Sequence, residues 1–163
     1  MFIDVMYLFK ELVDEFNGIG NNPRKRQTKI TQQILTQQIP VDIYKCALMR
    51  NLTIIPSLEY ELGKIENSTI FINPNLSLNR TRFMIAHCIG HHIRGTVDGS
   101  IETLANFSDS VSGVEHDANV EAVNLLIPPN ALLHELQQGT PFNNLARKFQ
   151  VSPVALSSQL SKL

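Results

Sequence analysis

The stretch RFMIAHCIGHHIRG, residues 82–95, places two histidines, His87 and His91, four positions apart in a helical pattern. Residues i and i+4 of an α-helix lie on one face about one turn apart, so both imidazoles can point at the same place. Zinc suits such a pair, because it binds histidine nitrogen at roughly 2.0–2.1 Å in a tetrahedral shell. Two partly buried histidines of a purely structural helix would show the same spacing, and the pair alone does not separate these interpretations. His92 lies about 100° further round the helix and is not expected to share the site.

A second stretch, EHDANVEAVNLLIPP, begins at Glu115 and carries another helical pattern. The face of Glu115 also carries small, amide and apolar residues, namely Asn119, Ala122 and Leu126. Such a face would let the helix pack closely on its neighbour and hold the carboxylate beside the two histidines. A carboxylate with two histidines is a recognised catalytic zinc set. The alternative is a solvated glutamate near a helix N-terminus, where the helix dipole favours negative charge.

The composition is that of an ordinary globular protein. With 163 residues, of which 43% are hydrophobic and 18% charged, one compact domain can bury a core without disulfide bonds. The net charge of -1 argues against a nucleic-acid or membrane surface that covers the whole molecule. The two cysteines, Cys46 and Cys88, are too few for a disulfide framework, which favours free thiols in a reducing compartment.

Targeting segments are not evident in the chain. The N-terminal stretch MFIDVMYLFKELVDEF lacks a basic start, a continuous apolar core and a small-residue cleavage site. No stretch approaches the roughly 20 apolar residues that cross a bilayer. We therefore expect a soluble cytoplasmic protein.

The first half of the chain predicts helices followed by a small sheet. Amphipathic spacing predicts a helix over residues 2–16, and Pro40 is placed in the first turn of a helix over residues 40–50. LTIIP predicts a short buried strand that ends at Pro56. EYELG and STIFINP predict two further strands joined by a turn at KIEN, with Ile70 and Ile72 on one face of the last strand.

The second half predicts helices alone. The histidine helix is expected over residues 78–93, with Ser77 as its N-cap and an end near Gly95. The next helix should continue until Pro128, and a shorter one should cover NALLHELQQ. The last 23 residues or so show two helical patterns joined through QVSP. Helices, a small sheet and then helices are typical of the α+β class.

Three motifs resemble those of the ImmA/IrrE-like zinc metallopeptidases. The family's central motif, approximately R-x-R-F-x-x-A-H-E-x-G-H, is matched in register by Arg80, Arg82, Phe83, Ala86, His87, Gly90 and His91. Its second motif, E-x-x-A-N-x-F-A-x-x-L-L-x-P, is matched without a gap by Glu115, Ala118, Asn119, Ala122, Leu125, Leu126 and Pro128. Its C-terminal motif, L-A-x-x-F-x-V-S-x-x-A-L-x-x-R-L, is similar to LARKFQVSPVALSSQLSKL. The likeness covers about residues 36–163.

The resemblance implies a zincin-like domain whose metal site lies between two helices. We expect an N-terminal helical extension over residues 1–35, the metallopeptidase-like domain over 36–139, and a C-terminal helical pair over 140–163 that packs on the domain. The pair resembles a helix-turn-helix. However, its second helix offers only a few polar groups that could read DNA bases, Ser157, Ser158, Gln159 and Lys162, which favours a packing role.

The resemblance also implies roles for individual residues. His87, His91 and Glu115 would bind Zn²⁺, and Asn119 would orient a ligand by a hydrogen bond. Arg80 and Arg82 would anchor the helix or contact its neighbours. Members of the family are linked to prophages, mobile elements and stress responses, and they act on transcriptional repressors that are often helix-turn-helix proteins.

Cys88 is the main departure from the family pattern, since it stands where the family has the glutamate that acts as general base. A thiol is shorter, forms weak hydrogen bonds, and has an unperturbed pKa near 8.5. General acid–base assistance is typically worth about 10²–10⁴-fold in rate, so peptide hydrolysis should be impaired. A nucleophilic cysteine, a redox sensor beside a metal and a substitution made to silence the site are the alternatives to a small residue that fills the glutamate's place.

Glu121 is the second departure, because the family has an aromatic residue there. It lies about 240° round the helix from Glu115, which favours a solvated or subunit-contact charge over a metal ligand. His116 and Asp117 could replace Glu115 only if the helix were rotated from the family arrangement.

Three hypotheses follow for the function. The first is an ImmA/IrrE-like metallopeptidase-type protein of a prophage, mobile-element or stress-response system that acts on a helix-turn-helix repressor, with hydrolysis impaired by Cys88. The second is a catalytically inactive pseudoenzyme that regulates transcription by binding a repressor protein. The third is a DNA-binding regulator that uses the C-terminal helices, although direct nucleic-acid binding is not favoured. The sequence leaves enzymatic activity open.

Overall fold

Residues 38–96, 100–101 and 113–163 are described by a computed structural model of the chain. All of them fall within one unit that covers residues 31–163. The helix expected over residues 2–16 and the extension expected over 1–35 lie outside the described residues, so both stay predictions. No helix among the described residues combines the length and the apolar character needed to cross a membrane.

Helix α1, Ile43–Leu48, is shorter than the sequence predicts and begins later. The carboxylate of Asp42 accepts a hydrogen bond of 3.0 Å from the backbone N–H of Lys45. This is an N-cap, which sets the start of the helix after Asp42 instead of at Pro40. Ile43, Cys46 and Ala47 form the buried face of the helix.

Four strands form one sheet in the order β1-β3-β2-β4. They are β1 Thr53–Pro56, β2 Gly63–Glu66, β3 Thr69–Ile72 and β4 Ser100–Ile101. β1 pairs with β3 in parallel, whereas the pairs β2–β3 and β2–β4 are antiparallel. Ile70 and Ile72 of β3 are buried and Phe71 is partly exposed, as the alternating pattern predicts.

The hairpin between β2 and β3 corrects the sequence prediction. Most of KIEN lies within β2 instead of forming the turn, and most of EYELG lies outside the strands. The turn consists of Asn67 and Ser68, with φ of 46° and 63°. Two-residue hairpin turns with positive φ at both positions match the twist of antiparallel strands, and asparagine tolerates this conformation well. The hairpin therefore closes two residues later than predicted.

β1 is not buried, contrary to what the apolar stretch LTIIP predicts. It lies at one edge of the sheet, where Ile55 is 42% exposed and Pro56 is also exposed. Proline suits an edge strand because it has no N–H for a further partner. Leu52, one residue before the strand, supplies the buried side chain instead.

Helix α2, Leu78–Arg94, runs through the interior of the domain. It follows Ser77 and ends at Gly95, whose φ of 64° is left-handed, as the sequence predicts to within one residue. Every residue from 82 to 91 is buried. The guanidinium of Arg82 donates a hydrogen bond of 2.9 Å to the carbonyl of Val41, which ties α2 to the segment before α1. Arg80 is exposed.

Four helices complete the described chain, α3 Val114–Leu126, α4 Pro129–Gln137, α5 Phe142–Phe149 and α6 Pro153–Leu160. Gln159 of α6 corrects one detail of the sequence analysis, which placed it among the groups that could read DNA. Its side chain is 2% exposed and donates a hydrogen bond of 2.9 Å to the carbonyl of Ile127. α6 therefore uses this glutamine to pack against the end of α3. Together the elements form an α+β, zincin-like domain.

Glu135 joins α4 to α5 and gives a prediction about acid stability. Its carboxylate accepts hydrogen bonds from Lys148 Nζ at 2.6 Å and from Thr140 Oγ1 at 2.7 Å, and its side chain is 11% exposed. These bonds, the one from Lys148 first, hold the pKa of Glu135 below its usual range. Because the folded pKa is depressed, the contribution to stability is present above the unfolded pKa of about 4.3 and is lost as pH falls through the folded pKa.

We expect Glu135→Gln to lower the free energy of unfolding by about 1 kcal/mol at pH 7, since Lys148 is half exposed and its bond is screened. The difference between the two proteins should vanish below the folded pKa. Urea unfolding at pH 7, 5 and 3 measures it. A difference that is the same at all three values would contradict the assignment.

Candidate metal centre

Helices α2 and α3 meet at Gly90, where the two backbones come close together. A Cβ added to Gly90 would lie 2.7 Å from the carbonyl oxygen of Ala118 and 3.1 Å from its Cα. Ala118 and Ala122 are fully buried on the facing side of α3. Small residues on both helices therefore allow this contact, and it brings the first turn of α3, with Glu115, beside the histidines of α2.

Three side-chain atoms converge at this contact. His87 Nε2 lies 2.9 Å from His91 Nε2 and 3.1 Å from Glu115 Oε2, and His91 Nε2 lies 3.4 Å from Glu115 Oε1. Two ligands of a tetrahedral zinc ion at 2.0–2.1 Å are about 3.3 Å apart, so these separations are close to those of a zinc shell. Both histidines are buried, whereas the side chain of Glu115 is 46% exposed. The centre thus opens to solvent on the side of α3.

The other nitrogen of each ring has an oxygen partner. His87 Nδ1 lies 2.8 Å from Asn119 Oδ1, and His91 Nδ1 lies 3.0 Å from Thr96 Oγ1. In the tautomer that carries its N–H on Nδ1, each ring donates to this oxygen. Both Nε2 atoms then present lone pairs to each other and to the carboxylate, with no hydrogen between them. A cation bound between these groups would accept both nitrogen lone pairs and balance the charge of the carboxylate.

The protonation states of Glu115 and His91 suit the binding of a cation. The neighbouring His87, and then His91, lower the pKa of Glu115 against the opposing effect of burial. Burial first, and then the neighbouring His87, lowers the pKa of His91. At neutral pH the site therefore holds a carboxylate and a neutral His91 ring. This is the protonation state in which these groups bind a divalent metal, and the residues fit zinc.

A model of the Peptidase_M78 family, described as the IrrE N-terminal-like domain, matches residues 47–161. The match covers well over half of the chain and includes both helices of the centre. The chain belongs to this family. No curated protein matches it in a sequence search. The ImmA/IrrE-like assignment made from the three motifs is thereby confirmed, and the His-His-Glu group agrees with a metallopeptidase-type domain.

Cys88 directly follows the candidate ligand His87 in α2. Its side chain is fully buried in the hydrophobic core, and it forms no disulfide bond. Burial first, and then the negative charge of Glu115, raises the pKa of Cys88 to about 12. The thiol thus stays protonated at neutral pH, where it is neither a proton acceptor nor a nucleophile. Its environment is that of a small apolar residue.

Four other polar residues near the metal centre do not join the His87–His91–Glu115 group. Asp117 and Glu121 both face Arg94, with shortest N–O separations of 3.5 Å and 2.9 Å. Glu121 therefore contributes to an ion pair between α3 and α2 instead of standing free. His92 and His116 are exposed and lie outside the His87–His91–Glu115 group. Glu115, and neither His116 nor Asp117, joins the two histidines in this group.

Thr96 is a site residue that the sequence analysis missed. It follows the left-handed Gly95 and reaches back to His91 through its hydroxyl. The signal was present, since a glycine four residues after His91 predicts a helix end that folds back on this histidine. A cleft of about 250 Å³ opens beside His91 and Thr96, and the β2–β3 turn forms its opposite side.

Proposed function

We propose that this IrrE-like protein binds Zn²⁺ through His87, His91 and Glu115 and acts in the cytoplasm on a helix-turn-helix transcriptional repressor. The system it serves would belong to a prophage, a mobile element or a stress response. The observation that carries the proposal is the convergence of His87 Nε2, His91 Nε2 and the Glu115 carboxylate, at separations of 2.9–3.4 Å. Peptide hydrolysis would be impaired, because the buried Cys88 replaces the general base.

The chain's own residues have separate tasks in this proposal. Asn119 and Thr96 hold the two rings with Nδ1–H outward and Nε2 inward. The ionised Glu115 supplies the negative charge on the solvent side. A zinc ion, when bound, would polarise a peptide carbonyl and lower the pKa of a water at the site. Cys88 cannot take up that proton, so the chain lacks one of the groups that hydrolysis requires.

A second candidate function is a pseudoenzyme that regulates transcription by binding the repressor without cutting it. The burial of Cys88 in a core environment favours it, because a thiol held in this way has no part in chemistry. The cleft beside His91 still offers room for a peptide segment of the partner. The buried position of Gln159 argues against the third hypothesis, direct DNA reading by the C-terminal helices.

Metal analysis tests the proposed centre. Purified, chelator-free protein is expected to hold one zinc per chain, and His87→Ala or Glu115→Gln should remove it, because each leaves only two protein ligands. His92→Ala is the matched control, since this histidine lies on the same helix but is exposed. Protein that carries no zinc and takes up none in titration would refute the metal assignment. Equal loss in the His92 variant would show that the metal binds elsewhere.

Capture of a repressor separates the enzyme from the pseudoenzyme. A tagged chain incubated with helix-turn-helix repressors should retain one of them, and gel analysis of the captured protein shows whether it is intact. Intact repressor supports the pseudoenzyme, and slow cleavage supports the impaired peptidase. Complete cleavage by the unaltered chain would show that Cys88 does not impair the reaction.

A further inference from the structure

The C-terminal end of α2 has a defined geometry that involves a metal-ligand candidate. The N–H of Gly95 donates to the carbonyl of His92 at 3.3 Å, and the N–H of Thr96 donates to the carbonyl of His91 at 3.1 Å. These two bonds, with the left-handed Gly95, form a Schellman motif. In this motif the residue after the left-handed position packs its side chain against the residue five positions earlier. Here that pair is Thr96 and His91.

The contact that is usually apolar in this motif is a hydrogen bond in this chain. Thr96 Oγ1 lies 3.0 Å from His91 Nδ1 and 3.3 Å from the carbonyl oxygen of His91. A hydroxyl has one hydrogen and two lone pairs, and the carbonyl can only accept. The hydroxyl hydrogen is therefore directed to the carbonyl, and a lone pair faces Nδ1. The ring must then donate from Nδ1.

We infer that Thr96 is a positioning residue of the metal centre, which holds His91 in the Nδ1–H tautomer with the Nε2 lone pair directed at His87 and Glu115. Without the hydroxyl, His91 would distribute its proton over both nitrogens and its ring would lose its fixed orientation. The expected effect on zinc affinity rests on the proposed function, whereas the hydrogen bond between Thr96 and His91 does not. Asn119 has the same relation to His87.

Thr96→Val is the variant that removes this bond with the least disturbance. Valine has the shape of threonine, and it would restore the apolar contact that the Schellman motif usually contains. The helix end and the fold are therefore expected to persist. Thr96→Ser keeps the hydroxyl. Thr81→Val is the matched control, because Thr81 lies at the other end of α2 and its hydroxyl makes only a 3.5 Å contact with the carbonyl of Leu76.

Two measurements test the inference on the full chain. Competition with a chromophoric chelator gives the zinc affinity, and histidine ¹H–¹⁵N correlation spectra of the metal-free protein give the tautomer of His91. We expect Thr96→Val to weaken zinc binding by about 10–100-fold, as loss of a hydrogen bond to a ligand typically does. Its His91 spectrum should lose the Nδ1–H signature. Thr96→Ser should restore both, and Thr81→Val should change neither.

The outcomes are distinct. Unchanged zinc affinity and unchanged tautomer in Thr96→Val would overturn the inference, and so would a serine variant as weak as the valine variant. If the unaltered chain binds no zinc, the proposed function fails, and the spectra alone then decide about Thr96. An Nδ1–H signature that disappears in Thr96→Val would still support its positioning role, whereas an unchanged spectrum would refute it.

Discussion

Replacing Cys88 by glutamate is expected to raise the rate of repressor cleavage by about 10²–10⁴-fold, the usual contribution of general acid–base assistance. His87, His91 and Glu115, which would hold the zinc ion, already converge, and a cleft opens beside His91. A glutamate at this position can reach further than the thiol. The measurement is the rate of appearance of cleavage products from a helix-turn-helix repressor that binds the unaltered chain.

The same replacement has a cost for folding. Cys88 is fully buried, and a carboxylate that remained in the core would be desolvated without a partner, which destabilises by several kcal/mol. A carboxylate that turns to the metal centre avoids this. Urea unfolding and zinc content of the Cys88→Glu variant distinguish the two positions, because only the second leaves both quantities near those of the unaltered chain.

Cys88→Gln is the control for this experiment. Glutamine has the size of glutamate but cannot accept the proton, so its cleavage rate should remain at the level of the unaltered chain. If Cys88→Glu is folded, holds zinc and is no faster than Cys88→Gln, the missing base is not what limits the chain. That result would favour the pseudoenzyme.

Those parts of the metal centre that depend on local helix periodicity could be predicted from the sequence. His87 and His91 share a face by their spacing alone, and the helix end at Gly95 follows from the left-handed conformation that glycine tolerates. Ser77 occupies the predicted N-cap position, but its side chain forms no capping hydrogen bond. The position of Glu115 beside the histidines depends on a tertiary contact between α2 and α3. The sequence indicated this contact only through its match to the family motifs. The orientation of each ring could not be predicted, because it depends on partners that only the folded chain brings together.

The wrong predictions about the burial of β1 and the position of the β2–β3 turn have the same physical cause. Strand exposure and hairpin register depend on neighbours in the sheet, and a stretch such as LTIIP is equally apolar at an edge and in the centre. KIEN contains no glycine or proline, and only its last residue, Asn67, lies in the actual turn. Gln159 shows the same limit, since only the carbonyl of Ile127 on another helix explains its burial.

Gly90→Leu is expected to cost about 3 kcal/mol of stability and to abolish stoichiometric zinc binding. A Cβ at this position already lies 2.7 Å from the carbonyl oxygen of Ala118, and backbone cannot move aside like a flexible side chain. Overpacking typically costs 1–3 kcal/mol and occasionally more, and a leucine adds three further carbon atoms beyond Cβ. α3 would have to move away from α2, and Glu115 and Asn119 would move with it.

Gly90→Ala provides the graded test. Alanine is favoured over glycine inside a helix by about 0.8–1 kcal/mol, which opposes the cost of the clash with Ala118. We expect the clash to prevail and zinc affinity to fall, since the histidines remain on α2 while the glutamate is displaced.

Gly139→Ala is the control, because Gly139 has a φ of 71° and open space around it, so it loses stability through backbone strain alone. Urea unfolding and zinc titration of the three variants separate the two effects. An alanine variant at position 90 that is more stable than the unaltered chain, with unchanged zinc affinity, would show that the close approach of the helices does not hold the centre together.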